Sequence, residues 1–221
     1  MLEYKHIDSD GKDIDLPIGK VVCVGRNYLQ HIKELNNDVP SEPLLFHKPS
    51  SALYPLNKPV VLPKNLGSCH NELEVSVLIK NTLCQTSIKT AEAAIWGIGV
   101  GLDLTLRDVQ NTLKVQGQPW ERAKAFDRSC PMSQFVTKER VENLSNIDFN
   151  LTVNNEIRQQ GNSQDMLYPI LNLLVNISNA FTLLPGDIVM TGTPKGVAAL
   201  SIGDRLVIEL DSYFSVETYV V

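Results

Sequence analysis

The stretch Ser68–Ile79, SCHNELEVSVLI, decides how this chain of 221 residues is read. Leu73, Val75, Val77 and Ile79 recur at period 2, the pattern of a strand with one apolar face. The opposite parity puts Glu72 and Glu74 on one side, with about 7 Å between their Cα atoms, close enough to share one ion. Unpartnered carboxylates at that spacing repel each other, and burying them costs several kcal/mol. A positive charge is expected between them.

A third acid, Asp103, interrupts the apolar run IGVGLDLTL (98–106) at the end of a second strand. Three carboxylates with water completing the shell suit an octahedral Mg²⁺ or Mn²⁺ far better than zinc, which prefers imidazole and thiolate. An E-x-E pair alone reads more often as a solvated strand face; the buried-looking Asp103 tips the balance toward a metal. His70 could add a ligand, but reads better as a surface or supporting histidine, and Cys69 is a poor partner for hard oxygens.

Other positions carry two readings each. His31 and Glu34 lie three apart on a short helical stretch after GRNY (25–28), so one face carries both. A carboxylate beside an imidazole is a general-base arrangement, and equally an ordinary exposed pair. Lys124, in ERAKAFD (121–127), sits among small and apolar residues as a candidate fixed positive charge. Arg107 and Gln110 share a helix face that either binds a carboxylate or is simply polar. TGTPKG (191–196) ends a strand with hydroxyls and backbone N–H groups beside glycines, which makes either an anion-binding concavity or a plain turn.

Along the chain, DSDGKDIDL (8–16) reads as a small hairpin, GKVVCVG (19–25) as a buried strand and KPVVLP (58–63) as another. KTAEAAIWG (89–97) reads as a helix stopped by Gly97, and TLRDVQNTLKVQG (105–117) as a helix capped by Thr105 and Asp108. Asn154-Asn155 marks a type I′ hairpin turn, and MLYPILNLLVNISNAF (166–181) a helix with Pro169 near its start. The result is one β-rich α+β domain: an N-terminal hairpin segment over 1–18 and a main domain over 19–221, with a separable N-terminal piece ending near residue 65 as a further division.

The composition, 43% hydrophobic with a net charge of -5, is that of a soluble globular protein with no basic run to bind a phosphate backbone. Neither nucleic acid nor membrane is an expected partner. The four scattered cysteines and the acidic N-terminus, unlike a signal peptide, predict a cytoplasmic location.

In order, VGRNYLQHIKEL, FHKPSSAL, HNELEVSVLI, GLDLTLRDVQ, GQPWERAKAFD, VNNEIRQQG and GDIVMTGTPKGV resemble the fumarylacetoacetate hydrolase family, in its short branch of acylpyruvases, oxaloacetate decarboxylases and oxaloacetate tautomerases. The resemblance implies the β-rich mixed fold of that family's C-terminal domain, a homodimer, and Mg²⁺ or Mn²⁺ on Glu72, Glu74 and Asp103. It implies a lid dyad of His31 and Glu34, an active-site Lys124, and substrate contacts at Arg26, Tyr28, Arg107, Gln110, Thr191 and Thr193. The usual Asn-Gly turn is Asn154-Asn155 here, and asparagine tolerates positive φ.

The implied activity is C–C bond hydrolysis of acylpyruvates such as acetylpyruvate or fumarylpyruvate, with the ion stabilising an enolate and His31 activating water. The alternatives on the same residues are oxaloacetate tautomerisation and oxaloacetate decarboxylation. A non-catalytic metal-binding module would leave His31 and Lys124 without a role, and a metal nuclease is at odds with the acidic balance.

Overall fold

The structure is a computed structural model that describes residues 4–221; the first three residues of the expected N-terminal hairpin segment lie outside the described residues. The chain runs β1 (Val21–Gly25), α1 (Leu29–Glu34), β2 (Leu44–Lys48), β3 (Leu53–Pro55), β4 (Cys69–His70), β5 (Leu73–Ile79), α2 (Ile88–Ala93) and β6 (Ile95–Leu102). It continues through β7 (Thr105–Leu106), α3 (Arg107–Val115), α4 (Glu121–Lys124), β8 (Cys130–Met132), β9 (Val136–Thr137), β10 (Asp148–Val153) and β11 (Glu156–Asn162). It ends with α5 (Ile170–Ala180), β12 (Ile188–Met190), β13 (Arg205–Leu210) and β14 (Phe214–Tyr219).

The main sheet has eight strands, in the order β2-β1-β12-β5-β6-β8-β3 with β9 alongside β6. β1 runs parallel to β12 and β3 parallel to β8, while the other pairs are antiparallel, so the sheet is mixed. A second sheet, β11-β10-β13-β14, is wholly antiparallel. Its β10–β11 hairpin turns on Asn154 and Asn155, at φ 52° and 68°, as a two-residue I′ turn requires.

Strand alternation divides the interior. Val75, Val77 and Ile79 of β5, with Val22 and Val24 of β1, face the large cluster that also holds α5 and the second sheet. Leu78 of β5, with Val21 and Cys23 of β1, faces a smaller cluster closed by Tyr4, Ile14 and Phe135. Glu72 and Glu74 share the parity of Leu78, so they rise on the thinner side of the sheet.

Three local readings change. The helix at 89–97 ends at Ala93 and Gly97 lies inside β6, where a Cβ would sit 2.2 Å from the Val136 carbonyl oxygen; glycine is there for close approach, not to stop a helix. Asp108 accepts hydrogen bonds from Ser68 N and Oγ at 2.9 and 3.0 Å, while Thr105 Oγ1 donates to the Asp103 carbonyl, so the two do not cap α3 together. KPVVLP runs beside the C-terminal segment, Val60 N and Leu62 N donating to the carbonyls of Tyr219 and Val221, but it forms one bridge, Val60 to Val220, rather than a full strand. No separate unit ends near residue 65, because β1, β2 and β3 belong to the main sheet.

The N-terminal segment folds back through an Ile7–Asp13 bridge and is pinned by His6, which is 1% exposed. Its Nε2 lies 3.1 Å from the carbonyls of both Pro17 and Gly186, and Nδ1 lies 3.1 Å from the Tyr4 hydroxyl. Nε2–H donation leaves Nδ1 to accept from Tyr4. Burial lowers the imidazole below its ordinary value, although the two carbonyls pull the other way. The folded protein therefore binds fewer protons at this site than the unfolded chain, so the contribution is complete above about pH 6.5 and is lost as pH falls through the depressed folded value. Urea denaturation from pH 7.5 down to 5 is expected to show stability falling, with up to ~1.4 kcal/mol per pH unit from this one proton. His6→Gln is expected to flatten that part of the slope.

Candidate active site

β5 and β6 are neighbours, and the last pairs of their ladder set Glu74 opposite Gly101 and Leu73 opposite Leu102. The amide of Asp103 then donates to the carbonyl of Glu72 at 2.8 Å, which extends the ladder by one step and brings the third acid beside the first two. One carboxylate oxygen from each of Glu72, Glu74 and Asp103 lies within 4.8 Å of the others, and all three residues are buried. Among the described residues neither His70 nor Cys69 joins this group.

Buried cations surround the acids. Lys124 Nζ, 2% exposed as a residue, lies 2.7 Å from Glu72 Oε2 and 2.5 Å from Asp103 Oδ2, and stands over the Phe46 ring. Arg107 donates to Glu72 Oε1 and, at 2.6 Å, to Gln110 Oε1. Burial opposes the charge on Glu72, but Lys124 and Arg107 outweigh it and hold the carboxyl far below the usual range. Lys124 is held above its ordinary value, because Asp103 and Glu72 overcome the cost of burial. Glu74 takes its hydrogen bond from a backbone amide, Gly192 N at 2.7 Å; burial first, then Asp103 and Glu72, push its carboxyl well up. Three hard oxygen donors at this spacing, one of them suffering repulsion that a cation would relieve, fit a divalent metal ion.

His31 is buried, and its Nδ1 lies 3.2 Å from Glu34 Oε2. Donation from Nδ1 to the carboxylate leaves Nε2 unprotonated on the neutral ring. The other oxygen of Glu34 accepts from Gly196 N at 2.9 Å. The amides of TGTPKG do face acceptors, but these are the protein's own carboxyl groups: Glu74 on Gly192 N and Glu34 on Gly196 N.

The cavity over the acids has a volume of about 40 Å³. Of the expected site residues, Arg26, His31, Glu72, Glu74, Asp103, Arg107, Gln110, Lys124 and Thr193 line it. Glu34 reaches it through His31. Tyr28 and Thr191, expected as substrate contacts, lie outside the lining: Tyr28 packs edge-on against Phe149, and Thr191 Oγ1 donates to the Val75 carbonyl. Thr193 lines the wall while its hydroxyl donates to the Leu73 carbonyl and accepts from Gln159 Nε2.

Two supporting residues escaped the sequence reading. Lys48 is fully buried, with Nζ 2.9 Å from Asp103 Oδ1 and 3.1 Å from both the carbonyl and hydroxyl of Ser129; it also donates to the Lys124 carbonyl. Asn27, also fully buried, donates to the carbonyls of Thr191 and Tyr168 and accepts from Tyr168 N. The one sequence signal for Lys48 was a lysine ending an apolar strand, which also suits an exposed edge.

The profile of the family described as fumarylacetoacetate (FAA) hydrolase C-terminal matches residues 20–221. The chain belongs to the fumarylacetoacetate hydrolase family. Within it, the chain is 49% identical over 211 residues to oxaloacetate tautomerase YcgM of Escherichia coli, covering 95% of this chain and 96% of that protein. It is 41% identical over 186 residues to a mitochondrial oxaloacetate tautomerase of Bos taurus, 84% of each chain. The crystal structure of fumarylpyruvate hydrolase from Pseudomonas aeruginosa in complex with Mn²⁺ and pyruvate superposes with a TM-score of 0.93 at 33% identity, covering 100% of this chain and 97% of that one. As a member of this family the protein is an enzyme, and small acids are the substrates its relatives' names indicate.

Removing Lys48 would strip Asp103 Oδ1 of its cation and one donor each from the Ser129 and Lys124 carbonyls, although Lys124, Leu104 N and Ser129 Oγ still meet these groups. Lys48→Met is therefore expected to cost about 3–5 kcal/mol in urea denaturation, the range for breaking a buried ion pair. Mg²⁺ or Mn²⁺ at a hundredfold excess over Kd should stabilise the wild type by ~2.7 kcal/mol, with the gain reversed by EDTA and abolished in Glu74→Gln. A denaturation midpoint indifferent to both ions would count against the metal centre.

Proposed function

We propose that the protein is an oxaloacetate keto–enol tautomerase that works with Mg²⁺ or Mn²⁺ on Glu72, Glu74 and Asp103. The observation that carries the reading is the meeting of His31, Lys124 and three carboxylates in one cavity: a base, a fixed cation and hard oxygen donors, which together suffice to move a proton on a small 2-oxo acid without a positioned water. The 49% identity to a tautomerase, against 33% to a fumarylpyruvate hydrolase, points the same way.

The bound ion supplies Lewis-acid polarisation of the 2-oxo acid. The chain's own residues supply the rest. Lys124 is a fixed positive charge in a site from which most water is excluded, so negative charge developing on the C2 oxygen is stabilised without reorganisation. His31 Nε2 takes the proton from the enol hydroxyl and returns it to C3; Glu34 keeps Nδ1 protonated and offsets the imidazolium formed on the way. Arg107, tied to Glu72 and Gln110, closes the wall beside the carboxylates. Hydrolysis of acylpyruvates would need, in addition, a water held between His31 and a distal carbonyl.

The test is a spectrophotometric comparison, with Mg²⁺, of enol-oxaloacetate decay against cleavage of acetylpyruvate and fumarylpyruvate, with released pyruvate assayed to detect decarboxylation. Enol decay is expected to exceed both cleavage and pyruvate release by at least a hundredfold in kcat/KM, and His31→Ala to reduce it about 10²–10⁴-fold. Faster acylpyruvate cleavage would restore the hydrolase reading; faster pyruvate release, the decarboxylase one.

A further inference from the structure

The acids of the cavity leave two of its cations unused. Arg26 Nη2 and Lys114 Nζ both donate to the same atom, Asn37 Oδ1, each at 3.0 Å. The two charges are thus no further apart than twice that distance, joined by a neutral oxygen that balances neither. Among the described residues neither pairs with a carboxylate; Arg26 adds only a 3.4 Å contact to the Asp38 carbonyl. Both line the cavity that contains Glu72, Glu74 and Asp103.

Like charges held this close repel. Partial burial, then Arg26 and Arg107, lower the Lys114 ammonium from its ordinary value. Arg26 has φ 58°, a left-handed conformation that costs energy for a residue with a side chain. Arg107, Gln110 and Lys114 follow each other at i, i+3 and i+7 along α3, so one helix face supplies all three to the cavity wall. Arg107 is neutralised by Glu72, whereas Lys114 is not. Guanidinium and ammonium carry five and three donors, so each keeps N–H groups beyond those given to Asn37 and Asp38.

We propose that Arg26 and Lys114, bridged by Asn37, form a subsite for the distal carboxylate of a small 2-oxo diacid, and that they select diacids over monoacids of equal length. The inference rests on the reading of the site as one for small 2-oxo acids, and it assigns to Lys114 and Asn37 a role in specificity rather than in proton transfer.

Oxaloacetate and 2-oxobutyrate have the same four-carbon chain and differ only in a terminal carboxylate or methyl group. Isothermal titration of the Mg²⁺-loaded protein with each, oxaloacetate being taken as its keto–enol mixture at equilibrium so that no net conversion occurs, reads the subsite as binding. Wild type is expected to prefer oxaloacetate by at least about tenfold, as for a charge-assisted hydrogen bond. Lys114→Met and Arg26→Met should each remove most of that preference by weakening oxaloacetate binding alone, while Lys33→Met, on the exposed side of α1, leaves it intact. In steady-state assays Lys114→Met should raise KM for enol-oxaloacetate about tenfold and change kcat less than threefold. Equal weakening of both ligands, or no preference in wild type, overturns the subsite. A preserved preference in a protein that does not tautomerise enol-oxaloacetate supports the subsite and sinks only the proposed reaction.

Discussion

The buried carboxylate of Asp103 is the constraint around which the site is built. An isolated carboxylate removed from water costs far more than a domain's margin of stability, so the fold must supply positive charge or a metal ion. It supplies two lysines, one to each oxygen: Lys48 at Oδ1 and Lys124 at Oδ2. Lys48 comes from β2 at the edge of the sheet and also holds the carbonyl at the end of α4, from which Lys124 extends. One ammonium thus fixes both an acid of the carboxylate triad and the backbone of the lysine that faces it. The remaining repulsion falls on Glu74, which has a single backbone amide for company, and a divalent cation would be most favourable there.

Much of this was legible in the sequence because strand periodicity is a strict rule. Once β5 is read with Val75, Val77 and Ile79 inward, Glu72 and Glu74 must share the other face, and an acid ending the next apolar run must lie near them if the strands pair. The Asn154-Asn155 hairpin and the helix after Pro169 follow from equally local chemistry. What the sequence hid depends on long-range approach. Gly97 resembles a helix stop until Val136 is placed against it, and Lys48 resembles an exposed edge lysine until Ser129 and Asp103 surround it. Thr191 and Thr193 advertise hydroxyls, but the backbone of β5 takes them. Arg26 and Lys114 are 88 positions apart by their numbers, and only the loop carrying Asn37 brings them to one atom.

The amide-rich loop at 191–196 shows how the same local pattern can be used in an unexpected direction. Backbone N–H groups beside glycines attract anions, and a substrate carboxylate is the obvious guest. Here Glu74 and Glu34 occupy Gly192 N and Gly196 N. The loop therefore positions an acid of the carboxylate triad and the acid paired with His31 from one short piece of chain, and ties their relative placement to the backbone. Under the subsite proposed above, the task of meeting an incoming carboxylate passes to the side chains of Arg26 and Lys114.

That division follows from the one parallel pair at the centre of the sheet. Because β1 and β12 run side by side in the same direction, the segments leaving their C-terminal ends, GRNY into α1 and TGTPKG, emerge at the same edge. Asn27 joins them: its side chain donates to the Thr191 carbonyl, and a Cβ on Gly192, at φ 100°, would lie 2.6 Å from its own Cβ. Glycine at 192 and asparagine at 27 are thus requirements of one contact, and the contact sets His31, Glu34 and Arg26 over the carboxylates of β5 and β6. An antiparallel β1 would deliver α1 to the far end of the sheet, leaving three acids and two lysines with no imidazole over them.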